Sequence, residues 1–238
     1  MLVLVVKLIL VSLYAANANS VSSLVKCKED DSKCLIHSVQ AFLPTFAVGL
    51  PEFQIAPLDP VTLIKINAST PDLSLLLENV KVTGLKECQV KKFDYNVKNS
   101  KVLATFLCNI NAVGHYNMKG KLIIVPIEGD GQFDAKIKKL AVIVDADVST
   151  IQKNGVKYFN IKNWKHRFEL KDKTSVHFEN LFNGNKVLAQ AADEIIKETG
   201  NEIIEELCPS IIKGIVFKII EAIQKFFHSV PFDELFLN

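Results

Sequence analysis

Residues Lys186 to His228 read KVLAQAADEIIKETGNEIIEELCPSIIKGIVFKIIEAIQKFFH, with apolar residues almost every fourth position: Ile195/Ile196, Ile203/Ile204, Leu207/Cys208, Ile211/Ile212, Ile215/Val216, Ile219/Ile220, Ile223 and Phe226/Phe227. That is helical spacing. Glu198, Glu202, Glu205, Lys213, Lys218, Glu221 and Lys225 take the other side, so the predicted helix is amphipathic and needs a large apolar surface to lie on. At about 1.5 Å per residue it would be roughly 65 Å long, and a step of four residues overshoots a full turn by about 40°, so the stripe winds around the axis. The surface beneath must curve with it. Two bending points are expected: Gly200, which costs roughly 1 kcal/mol in mid-helix, and Pro209, which removes a hydrogen bond and kinks the rod near Glu205.

Upstream of this stretch the pattern alternates. Val61 to Ile66, Leu73 to Leu85, Glu87 to Val97, Lys101 to Val113, Asn117 to Ile127, Gln132 to Gln152, Val156 to Asn163 and Lys165 to Phe178 read as strands. Breaks are predicted at Thr70-Pro71-Asp72, Lys98-Asn99-Ser100, Gly129-Asp130-Gly131 and Lys153-Asn154-Gly155, the last a strong hairpin signal. Short turns between successive strands imply an antiparallel meander. Val102, Ala104, Phe106, Cys108 and Ile110 share one parity while Lys101, Thr105, Asn109 and Asn111 fall on the other, and Phe168, Leu170, Val176 and Phe178 form a second apolar row. Such a sheet has one apolar and one wet face.

At the start of the chain, Met1 to Ala18 is apolar around Lys7 and ends in Ala16-Asn17-Ala18, the small-x-small pattern of a signal-peptidase site. Cleavage after Ala18 would leave a secreted protein with a single domain over residues 19–238. No later stretch is long and uncharged enough for a membrane span. The formal charge of +2 gives nothing to recruit nucleic acid. Cys27 and Cys34, in an oxidising compartment, are expected to close a local disulfide worth roughly 2–3 kcal/mol in the chain-entropy model. Asp30 or Asp31 then caps a short helix running to about Leu43, with Pro44 beyond its end. Cys88 and Cys108 either face each other across a hairpin near Lys98 or stay buried thiols, and Cys208 on the stripe is read as a buried thiol. Asn67-Ala68-Ser69 is an N-glycosylation sequon.

These parts give an α+β architecture: a long, highly curved antiparallel sheet wrapped around a long C-terminal helix, preceded by a short N-terminal helix. A sheet packed on one rod leaves gaps, and the space between them is a natural tunnel for an elongated apolar molecule.

Several motifs in order resemble the insect takeout and juvenile-hormone-binding family: Cys27-x6-Cys34, Gly49-Leu50-Pro51-Glu52, Leu58-Asp59-Pro60, Val82-x-Gly84-Leu85, Gly114-His115-Tyr116, Pro126-Ile127-x-Gly129-x-Gly131, Asn180 to Asn185 and Val230-Pro231-Phe232. The resemblance covers nearly the whole mature chain. It implies the family's curved sheet around a long helix, an internal hydrophobic tunnel, no catalysis, no cofactor, and lipophilic ligands such as juvenile hormone, other terpenoids or fatty-acid-like molecules. True juvenile-hormone binders tend to carry a second disulfide from a late strand to the helix. Here no cysteine follows Cys108 in the strands, so the chain looks more like a takeout-type protein.

Enzyme readings find little support in the sequence. The five histidines include no His-x-x-x-His pair and no Cys/His cluster with zinc spacing, and there is no Gly-x-Ser-x-Gly elbow. Gly129-Asp130-Gly131 lacks the third glycine and following helix of a nucleotide loop. The expected ligand-lining residues are Ile203, Ile204, Leu207, Ile211, Ile215 and Phe226 on the helix, with Phe46, Phe106, Tyr116, Phe133, Trp164 and Phe182 beyond it; the Tyr116 hydroxyl is the expected polar contact. A competing reading places Lys213, Lys218 and Lys225 on an anionic membrane, with the C-terminal helix serving transient lipid transfer.

Overall fold

The computed structural model describes residues 23–237, so the expected signal segment, Met1 to Ala18, lies outside the described residues. Two long strands, β4 (Lys101–Leu122) and β5 (Val125–Lys153), form the spine of one seven-stranded antiparallel sheet. Outside β4 lie β2 (Leu73–Thr83) and β3 (Gln89–Asn96), one after the other along its length, with β1 (Val61–Asn67) beyond β2. Outside β5 lie β6 (Val156–Leu170) and β7 (Thr174–Phe178) in the same tandem arrangement. Register shifts at Glu78/Lys81, Val90/Lys92, Cys108/Ile110 and Asp147/Val148 mark bulges that bend the strands and raise their twist. At the third, the Asn109 side chain accepts from the Lys139 N–H at 2.9 Å, replacing a ladder bond where the strand turns.

The strand boundaries differ from the predicted ones in an instructive way. Gly129 and Gly131 sit inside β5, not in a turn. A Cβ at Gly129 would meet the Tyr116 hydroxyl and one at Gly131 would meet the Glu179 carbonyl, so these glycines admit a crossing segment to the sheet's inner face. The chain reverses instead at Ile123-Ile124, where Leu122 pairs with Val125 and Ile123 takes φ 57°. Similarly, Asn163 and Trp164 are continuous within β6, and the break comes at residues 171–173. The expected hairpin at Lys153-Asn154-Gly155 is present, with positive φ at Asn154 and Gly155 as a type I′ turn requires.

The N-terminal helix α1 (Ser32–Ala47) starts where Asp31 accepts from the Cys34 N–H at 3.0 Å. It runs past Pro44, which lies in its last turn, and so ends later than predicted. Cys27 and Cys34 form a disulfide beside this start. Its Gln40 side chain accepts from the Val90 N–H and donates to the Cys88 carbonyl, fixing α1 on β3. Lys26 and Cys27 also hold the far end of the chain: the Lys26 ammonium reaches the Asp233 carbonyl and Glu234, and the Leu237 N–H donates to the Cys27 carbonyl.

The long amphipathic stretch is not one rod. It forms α2 (Lys186–Glu198), α3 (Gly200–Leu207) and α4 (Pro209–Ser229), followed by the short α5 (Phe232–Leu235). Both expected bending points become breaks, because each residue suits a helix start. Gly200 lets α3 touch β7, where a Cβ would lie 2.2 Å from the Thr174 carbonyl oxygen, and Asn201 accepts from the Thr174 N–H at 2.9 Å. Pro209 occupies the first turn of α4, where its missing N–H costs nothing, so the joint falls at Cys208 and not near Glu205. The α4 helix closes the roll between the two sheet edges: Lys218 donates to the Thr62 carbonyl on β1, and Gln224 accepts from the Ile161 N–H on β6.

Candidate functional site, an apolar cavity between sheet and helices

Between the inner sheet face and helices α1, α3 and α4 lies a cavity of about 380 Å³. The sheet supplies Leu75, Leu77, Val80 and Val82 from β2, alternate residues from Val102 to Ala112 on β4, and the inward parity of β5 through Val148. Among the described residues no charged side chain lines it. Its few polar side chains are occupied or inert. The Ser38 hydroxyl accepts from the Val25 N–H at 3.0 Å and donates to the Val25 carbonyl at 2.7 Å. Burial pushes the Cys208 thiol up to about 12, so it is protonated at neutral pH and no nucleophile. Burial and then the Glu29 carboxylate push the Tyr95 phenol upward. Cys88 and Cys108, whose state the sequence left open, form a disulfide in the wall, with their Cα atoms 4.3 Å apart.

Nine of the twelve expected lining residues meet here. Ile203, Ile204 and Leu207 project from α3, and Ile211, Ile215 and Phe226 from α4; Phe106 and Phe133 come from the sheet and Phe46 from α1. Phe226 sits in an aromatic cluster with Phe42, Phe46 and Phe53, at centroid distances of 5.2, 6.0 and 5.6 Å.

The other three lie elsewhere. Tyr116 is 0 % exposed, but its ring packs edge-on against Phe178 and its hydroxyl donates to the Glu179 carbonyl at 2.6 Å. Burial, then the Asp130 and Glu179 carboxylates, push its phenol up to about 12. It is a structural tie and not a free donor. Trp164 lies at the seam between β6 and α4, its ring 6.5 Å from Phe217 and 5.8 Å from His166. Phe182 is held at φ 52° in the short turn before α2. Tyr95 and Phe159 do line the cavity, and sequence reasoning missed both. The signal was present for Tyr95, since Phe93 and Tyr95 stand two apart on a predicted strand and share a face.

Asn67, the sequon residue, is exposed at the end of β1, where its side chain accepts from the Ser69 N–H at 3.0 Å. Of the three lysines assigned to a membrane, Lys218 and Lys225 donate to the Thr62 and Gln54 carbonyls of the chain itself. Among the described residues no helix is long and apolar enough to cross a membrane, and no group of three or more His, Cys, Asp or Glu residues is placed to hold a metal ion.

Comparison with known proteins places this geometry. The family profile described as haemolymph juvenile hormone binding protein (JHBP) matches residues 3–237. The circadian clock-controlled protein daywake of Drosophila melanogaster is 25% identical over 230 residues, covering 90% of this chain and 87% of that protein. The juvenile hormone-binding protein of Manduca sexta is 30% identical over 90 residues, 37% of this chain and 39% of that protein. Among solved structures, Takeout 1 of Epiphyas postvittana superposes with a TM-score of 0.87 at 28% identity, covering 90% of this chain and 99% of that one.

Proposed function

The chain belongs to the haemolymph juvenile hormone binding protein family, and from that premise we propose that it is a secreted, non-catalytic carrier of an elongated lipophilic molecule. The observation that carries this reading is the uncharged, apolar cavity running between the sheet and α1, α3 and α4. Juvenile hormone, another terpenoid or a fatty-acid-like chain suits such walls. The 380 Å³ volume lies within the roughly 300–1,000 Å³ of small-molecule sites. Burying about ten methylenes at roughly 0.8 kcal/mol each contributes on the order of 8 kcal/mol, which corresponds to about micromolar affinity before ordering costs. Residues 19–238 form the carrier domain after cleavage behind Ala18, the two disulfides fit an extracellular setting, and exposed Asn67 is the glycan acceptor.

The test is to fill the cavity from its helical side. Ile204→Trp and Ile215→Trp project bulk from two different helices. Each is expected to weaken uptake of a fluorescent lipophilic probe by at least about tenfold, a loss of roughly 1.4 kcal/mol, while far-ultraviolet circular dichroism stays that of the parent. Full-strength uptake by both folded variants would overturn the carrier reading.

A further inference from the structure

Among the described residues an ionised head group has no counter-charge in the cavity, and burying one there without a partner is strongly unfavourable. Beside the cavity, however, a second cleft of about 450 Å³ opens at the seam between β6 and the first turn of α4, lined by His166, Arg167, Phe168, Pro209, Ser210 and Lys213. The two spaces adjoin along one sheet face. Val142 and Val144, the register partners of Phe168 and His166, face the cavity, as do Cys208 and Ile211 on either side of Pro209 and Ser210.

We infer that this cleft receives the anionic head group, a carboxylate or a phosphate monoester, of a single-chain amphipathic ligand whose apolar tail enters the cavity beside Cys208 and Ile211.

The charges in the cleft are arranged for an anion that the chain does not supply. Among the described residues, the Lys213 ammonium has no carboxylate within ion-pair distance, unlike the paired lysines at Lys101, Lys139 and Lys171. It faces the His166 imidazole, which burial and then Lys213 itself push below the ordinary histidine value. The nearby carboxylate, Glu169, is engaged by Lys171 and lies 3.9 Å from Arg167 on the rim. An anionic amphiphile would lie with its head at Lys213 and its tail along the apolar wall that begins at Cys208 and Ile211.

This assignment rests on the carrier reading, and one competition experiment separates the two. Palmitate, hexadecyl phosphate and methyl palmitate would each displace N-phenyl-1-naphthylamine from the folded protein at neutral pH. At least one anion is expected to bind about tenfold tighter than the neutral ester, and the tighter anion identifies the head group. In Lys213→Gln that preference should fall to within about threefold, and in Lys213→Glu the ester should bind best, whereas Lys121→Gln on a distant strand keeps the parent ratio. Equal binding of all three ligands by the parent protein, or a preference unchanged in both Lys213 variants, overturns the anion site and leaves the carrier intact. Failure of the parent to bind the probe or any of the three ligands overturns both.

Discussion

One inner sheet face is solid at one end and hollow along its middle, although the same alternation of side chains builds both. Around Tyr116 the chain doubles back on itself. Gly129 and Gly131 let the Glu179–Leu181 segment approach β5, the Tyr116 hydroxyl ties that segment down, and Phe133 and Phe178 fill the remaining space. Between Val102 and Ala112 none of the described residues crosses the face in this way; there the facing surface is α1, α3 and α4, and three helices on a curved sheet leave a gap that branched aliphatics and phenylalanines line but do not fill. The packed end thus comes from direct backbone approach and the hollow from helices standing off.

Substitutions that treat the two regions alike should break or sharpen this contrast. The largest effect is expected from Tyr116→Ala, which removes a fully buried ring and leaves the Glu179 carbonyl without its donor; denaturant unfolding should show a loss of about 3–5 kcal/mol. Probe binding by the folded fraction should be unchanged, because the ring does not face the cavity. A loss below about 1 kcal/mol would mean that the knot is as loose as the hollow. Truncation in the cavity wall is predicted to cost less. Ile219→Ala should destabilise by about 1 kcal/mol, under the roughly 2–5 kcal/mol of tightly packed sites, since its cavity side has few partner atoms to lose. Smallest, and of opposite sign, is Gly214→Ala on the outer side of α4. A methyl there meets nothing within 4 Å, so the helix should gain about 0.5–1 kcal/mol, visible as a raised Tm with unchanged ligand uptake.

The hollow was legible in the sequence because it obeys periodicity. Val102 to Ile110 alternate, the isoleucine stripe recurs at helical spacing, and each signal is local. The knot was not legible. Gly129-Asp130-Gly131 has the composition of a turn, and only contact with residues about 50 positions later explains why those glycines are needed in a strand. Tyr116 read as a cavity residue because it is a bulky aromatic with a hydroxyl to offer, and neither property says whether the space and the acceptor beside it belong to the chain itself. Ile123-Ile124 carries no turn residue at all, and the long register of β4 on β5 places the reversal there. The Lys213 cleft lay beyond sequence reasoning because it joins an edge strand to a helix start across a seam that no periodicity encodes.

The clasp between residues 26–27 and residues 233–237 sets an order in time. The cavity rim holds Leu24, Val25 and Leu35 from one side and Leu235 and Phe236 from the other, and the Lys26–Asp233 contact spans 207 positions. The segment that shuts this end is translated long after the disulfide-pinned helix it docks on, so the rim of the vessel is complete only when the last part of the described chain has been made.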